Sequence, residues 1–164
     1  MADGKAQLID PRDAGRRSVA LRRPVFDEET LARADSVLHA LADSLCEWLD
    51  GDIEKLQQAR LGAEAAGWAD TALEQLMAAA HDLKGMGATY GYPIVTQIAA
   101  SLCRSIETQA GKAQARQDPT LVCAHVDALR AAVRDRIKDV NHPVGRTLLR
   151  TLEQRVEGLG VAPR

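Results

Sequence analysis

Aromatic residues are scarce in this chain of 164 residues: two tryptophans, two tyrosines and one phenylalanine make up 3% of it. A core must then be built from Ala, Leu, Val and Ile packed at short range, which suits helices better than sheets. Charge of one dominant sign is lacking too. The net charge is -2, with acidic and basic residues interleaved, so no field draws the chain to nucleic acid or to an anionic membrane, and proteins are the expected partners. There is no apolar run of membrane-spanning length, and Met1-Ala2-Asp3-Gly4-Lys5 leads into charged residues rather than a signal peptide. A soluble, cytoplasmic protein is expected. The cysteines, Cys46, Cys103 and Cys123, are odd in number and sit inside helical patterns, as reduced thiols do. No glycine-rich phosphate loop of the G-x-x-x-x-G-K type and no nucleophile elbow occurs.

The length suits one domain with a proper core. Residues 1–26 hold Pro11, Pro24, Gly4, Gly15 and the pairs Arg16-Arg17 and Arg22-Arg23 without a sustained apolar period, and read as a flexible leader. Over 27–160 the pattern is helical. Leu31, Ala34, Leu38, Leu41, Leu45, Trp48, Ile53 and Leu56 recur at spacings of mainly three and four, predicting an amphipathic helix from about Glu28 to near Leu61. Leu73, Leu76, Ala80, Leu83 and Gly87 mark a second stripe, its helix capped by Asp70 or Thr71 and ended, with the next one starting, at Gly91 and Pro93. Ile94, Ile98, Leu102 and Ile106 form the partner stripe of an antiparallel hairpin. Gly111 to Asp118 reads as a linker, followed by a helix from Pro119 to about Val140 and a last one from Pro143 bearing Leu148, Leu149, Leu152 and Val156. The fold class predicted is all-α: an up-and-down four-helix bundle with one additional helix.

The segment Ala80-His81-Asp82-Leu83-Lys84-Gly85-Met86-Gly87-Ala88-Thr89-Tyr90-Gly91 is the one that carries chemistry. His81 and Lys84, three apart on a helix, are neighbours on one surface, so the ammonium can reach an anion carried on the imidazole. His81 lies one residue off the buried stripe, about 100° around the helix, where a ring is supported on one side and wet on the other. Gly85 and Gly87 remove bulk that would keep another protein from closing over it. A histidine at a helix edge followed by a solvated lysine is commonplace; the glycines and the Thr89-Tyr90-Gly91 continuation set this one apart.

The H-x-x-K-G pattern of His81, Lys84 and Gly85, with small residues and a glycine just beyond, resembles the histidine-containing phosphotransfer (HPt) domains of bacterial two-component phosphorelays. The resemblance implies that His81 is the phosphoacceptor, that Lys84 stands beside the phosphoryl group, and that Gly85, Met86 and Gly87 form the partner-docking surface. Many relatives carry Ser or Ala where Met86 stands. The implied partners are response-regulator receiver domains and a hybrid sensor kinase. The chain has no cofactor of its own, the receiver bringing its aspartate and Mg2+. Relatives of the chemotaxis type place a Glu or Gln against the ring from the second hairpin helix. Here that position is Cys103, a weak hydrogen-bonding thiol, with Gln97 and Glu107 as side-chain candidates from neighbouring turns.

Two other classes compete. A sensor kinase's dimerisation helix also carries a His followed by an acid, but continues with Thr-Pro or Asn-Pro where this chain has Gly85-Met86. No ATP-binding segment follows, so no autokinase activity is expected. A non-catalytic adaptor bundle would dock through Met86 and bind signalling proteins without transfer. His39, His125 and His142 have no facing ligand at metal spacing and read as polar boundary residues, so no metal site is expected. A monomer is expected, each stripe being buried within one chain.

Overall fold

Residues 27–160 are described in the computed structural model of the chain; the expected leader and its arginine pairs lie outside them. Two units are distinguished, Met1–Leu38 and His39–Arg164. Among the described residues there are six helices and no strand: α1 (Glu28–Ala65), α2 (Asp70–Met86), α3 (Pro93–Ile106), α4 (Gln109–Gln117), α5 (Thr120–Arg134) and α6 (Pro143–Glu157). None is long and apolar enough to cross a membrane.

In the His39–Arg164 unit the helices form a bundle around one apolar core, to which α1 gives Leu49, Leu56 and Ala63. At its centre is α3, which buries nine of its residues and packs on α2, α4, α5 and α6. The hairpin stripes are as expected: Leu73, Leu76, Ala80 and Leu83 on α2 and Ile94, Ile98, Leu102 and Ile106 on α3 are all fully buried.

The first helix forms over its whole predicted run, started by Asp27, whose carboxylate accepts the Thr30 N–H at 2.8 Å. Its burial differs from expectation. Leu31, Leu38, Leu41 and Trp48 are exposed, and the buried residues are Leu49, Leu56 and Ala63. Apolar periodicity defines a face of a helix; it does not supply the layer that covers it. The helix closes through Gly67 and Trp68, both at positive φ, with the Trp68 N–H on the Ala63 carbonyl at 2.7 Å. Burial of the indole holds this left-handed residue without a glycine.

Three further boundaries move. Neither Asp70 nor Thr71 caps α2: the N-cap is Ala69, with no side-chain hydrogen bond, and Asp70 instead pairs with Arg116 of α4. The expected linker is largely the helix α4. Thr108 caps it by accepting the Gly111 N–H at 3.0 Å, and Lys112 ties it to Glu74 of α2 at 3.1 Å. At Gly111 a Cβ would stand 2.3 Å from the Ser105 carbonyl oxygen, so only glycine lets α4 turn this tightly off α3. The helix expected to reach Val140 stops at Arg134. Arg136 takes φ 53° and the Ile137 N–H donates to the Ala132 carbonyl at 2.8 Å, with Ile137 buried behind it. That is a Schellman-type ending with arginine in the glycine position.

Candidate functional site

The end of α2 is fixed against the start of α3 by a close approach at Gly87. A Cβ there would lie 2.8 Å from both the backbone nitrogen and Oγ1 of Thr96, and the same Oγ1 accepts the Ala88 N–H at 2.9 Å. Gly87 is buried. The expectation that it belongs to the docking surface is therefore corrected: its missing side chain admits α3, not a partner. Helix α2 also ends at Met86, a turn before Gly91, and Gly91, at φ 79°, shapes the turn that follows.

His81, Lys84, Gly85 and Met86 are all exposed on the last turns of α2. The apolar residues Ala80 and Leu83 on either side of His81 are fully buried, so the ring rises from the rim of the core face. A Cβ built at Gly85 meets nothing within 4 Å. The surface beside His81 is thus open to an approaching body, and Met86 adds an exposed apolar side chain next to the gap.

Antiparallel helices advancing equally from the Gly87–Thr96 contact bring His81 level with Leu102 and Cys103. Cys103 is buried, which raises its thiol above the ordinary range; the Lys84 charge acts in the opposite direction and that of Glu107 adds to the rise. Lys84 therefore lies near the seam between α2 and α3 on the Cys103 side. Among the described residues no side chain hydrogen-bonds the His81 ring. By the same register Gln97 is level with Met86, and Glu107 lies just beyond α3.

On the other flank, Tyr90 and α1 are joined by contacts that the sequence alone did not reveal. The Tyr90 hydroxyl donates to Asp52 Oδ2 at 2.7 Å, and Lys55 Nζ donates to Asp52 Oδ1 at 2.7 Å. The bond to Asp52, with burial and the charges of Asp52 and Asp82, pushes the phenol up to about 12. Burial would raise the Asp52 carboxyl, but the hydrogen bonds from Lys55 and Tyr90 outweigh it and hold the group below its usual value. Residues 38 apart carry no local sequence signal for such a contact.

Of the other histidines, His39 and His142 are exposed, and His142 precedes the first turn of α6. His125 departs from the boundary expectation. It is fully buried, with Nδ1 at 2.7 Å from the Leu121 carbonyl and Nε2 at 2.9 Å from Ser101 Oγ of α3. Burial, with the Arg104 charge nearby, lowers it to about 4, against the Leu121 bond. The spacing Val122, His125, Val126, Leu129 put it on the buried stripe all along. No group of His, Cys, Asp and Glu among the described residues is placed to hold a metal ion.

The exposed His81 thus has a lysine a turn further on and open space at Gly85 beside it. The family model for the Hpt domain matches residues 40–139, and the chain belongs to that family. Hpt domains are phosphotransfer carriers of two-component relays that work with receiver domains and are not autokinases. Neither the curated proteins nor the solved structures returned a match.

Proposed function

We propose that the chain is a phosphorelay intermediate, working in the cytoplasm as a monomer, that takes a phosphoryl group onto His81 from the aspartyl phosphate of one receiver domain and passes it to the aspartate of another. A neutral ring nitrogen attacks phosphorus; an N–P bond forms as the acyl O–P bond breaks, and the aspartate leaves as a carboxylate. The second transfer reverses these bonds. The receiver contributes its aspartate and Mg2+, while this chain contributes the nucleophile and a fixed surface. Lys84, on the adjacent turn, offers a point charge to the phosphoryl oxygens. Gly85 leaves room for the receiver's loops, and Met86 gives them an apolar contact.

The observation that carries this reading is the exposed His81–Lys84 pair beside the empty space at Gly85. The experiment is to incubate the protein with a radiolabelled phospho-receiver and Mg2+ and follow the label. Acid-labile label should appear on the wild type and not on His81→Gln, which keeps its helical signal. Label on the variant would place the acceptor elsewhere. A wild type that binds receivers and never takes label would be an adaptor, and one labelled by ATP alone would be a kinase module.

A further inference from the structure

We propose that Thr96 is a positioning residue for phosphotransfer, acting through the last turn of α2; the proposal rests on the carrier function above. Lys84, Gly85 and Met86 occupy the final residues of α2, where backbone groups run out of intrahelical partners and ends fray. Here several of those groups are provided for. The Gly87 N–H donates to the Leu83 carbonyl at 2.8 Å, the Tyr90 N–H to the Met86 carbonyl at 3.0 Å and the Tyr92 N–H to the Gly87 carbonyl at 2.8 Å.

The Ala88 N–H is the exception, because its acceptor is a side chain from another helix. Thr96 Oγ1 takes it at 2.9 Å, and the same hydroxyl stands only 2.8 Å from where a Cβ on Gly87 would be. One atom of α3 therefore does two things. It joins the chain just past the docking turn to the central helix, and it sets how closely the two helices approach. The approach in turn fixes the level at which His81 meets Leu102 and Cys103. Thr96 is half-buried at the first turn of α3. Its effect on transfer would come from holding Lys84 and Gly85 in one place when the receiver arrives, so that ordering them is not left to the moment of binding.

The test compares Thr96→Val, which keeps the branched shape and removes the acceptor, with Thr96→Ser, which keeps the hydroxyl. Transfer from a phospho-receiver to Thr96→Val should be about fivefold slower, the factor corresponding to one lost hydrogen bond, and Thr96→Ser should restore it. Amide exchange read by NMR should show the Ala88 N–H losing protection in Thr96→Val alone. Wild-type transfer by Thr96→Val would overturn the proposal, as would Thr96→Ser being equally slow, since shape rather than the hydroxyl would then matter. If the wild type takes no label from any receiver, it is the carrier function that fails; the exchange measurement still decides whether Thr96 holds the turn, and unchanged Ala88 protection would refute that too.

Discussion

His81 and His125 are both imidazoles on helices of one bundle, and their surroundings make them different reagents. His81 sits on the rim of α2 with its ring exposed and unbonded to any described side chain. His125 sits on the core stripe of α5, both nitrogens bonded, and burial keeps it neutral at neutral pH. The first is available to a partner and adds little to the fold; the second is closed to any partner and ties α5 to α3 through Ser101. Placement about the helix axis, not residue type, decides which of the two rings is open to a partner.

The largest effects should come from exchanging lesions between the two. His81→Gln should abolish labelling while melting close to the parent. His125→Ala should retain transfer at low temperature but lose about 2–4 kcal/mol of stability, from the cavity and the unpaired Ser101 hydroxyl. Denaturant unfolding of both variants beside the labelling assay checks this. A fully stable His125→Ala would show that the buried ring is dispensable.

The same histidine predicts a pH dependence. Its folded value, about 4, lies below the ordinary 6.5, so the unfolded chain binds the proton more readily. The stabilisation from keeping it neutral is complete above about pH 6.5 and is lost as pH falls toward 4, to a total of roughly 3 kcal/mol. Urea midpoints should fall across that interval, and in His125→Gln that part of the slope should vanish.

Gly85 and Gly87 repeat the contrast between a surface and a seam within three residues of chain. Gly85→Leu has room for its side chain and gains helix propensity, so it should melt at or above the parent. Its transfer should nonetheless fall roughly tenfold or more, since a clash of ~1.4 kcal/mol with the receiver suffices for that factor. Gly87→Ala places a methyl against Thr96 and should lose about 1–3 kcal/mol of stability. Thermal melts and labelling together separate the two, and a Gly85→Leu that melts well below the parent would assign Gly85 to internal packing.

The hairpin α2–α3 and the site on it were legible in the sequence because both stripes are apolar at helical spacing and His81 falls one step off its stripe. Helix α4 was not, because its run Gln109–Gln117 buries only Gly111 and Ala115 and, beyond the local Thr108 cap, is held by Lys112 and Arg116, which act across tertiary contacts. The end of α5 was hidden by the absence of a glycine at Arg136. The exposed half of α1 was misread for the opposite reason: its pattern was strong and its cover was assumed. Tyr90–Asp52 and Thr96–Ala88 joined the site to its supports without any local signal. The exposed rim position of His81 was therefore readable, and these longer-range contacts were not.

The smallest and most diagnostic effect concerns Cys103, the residue level with His81 on α3. Its buried thiol feels the Lys84 charge, so this position looks toward the Lys84 side of the seam. Cys103→Glu would place a carboxylate within reach of both Lys84 and the ring. An opposite charge nearby favours the protonated imidazole, so the His81 titration midpoint should rise in the variant, while Lys84 draws off part of the effect. Adding Lys84→Ala to Cys103→Glu should then enlarge the rise. NMR titration of His81 in the parent and the two variants measures both steps. A midpoint that does not move in either would mean that position 103 does not face the His81 ring, and that the register inferred from the Gly87–Thr96 contact does not carry through to His81.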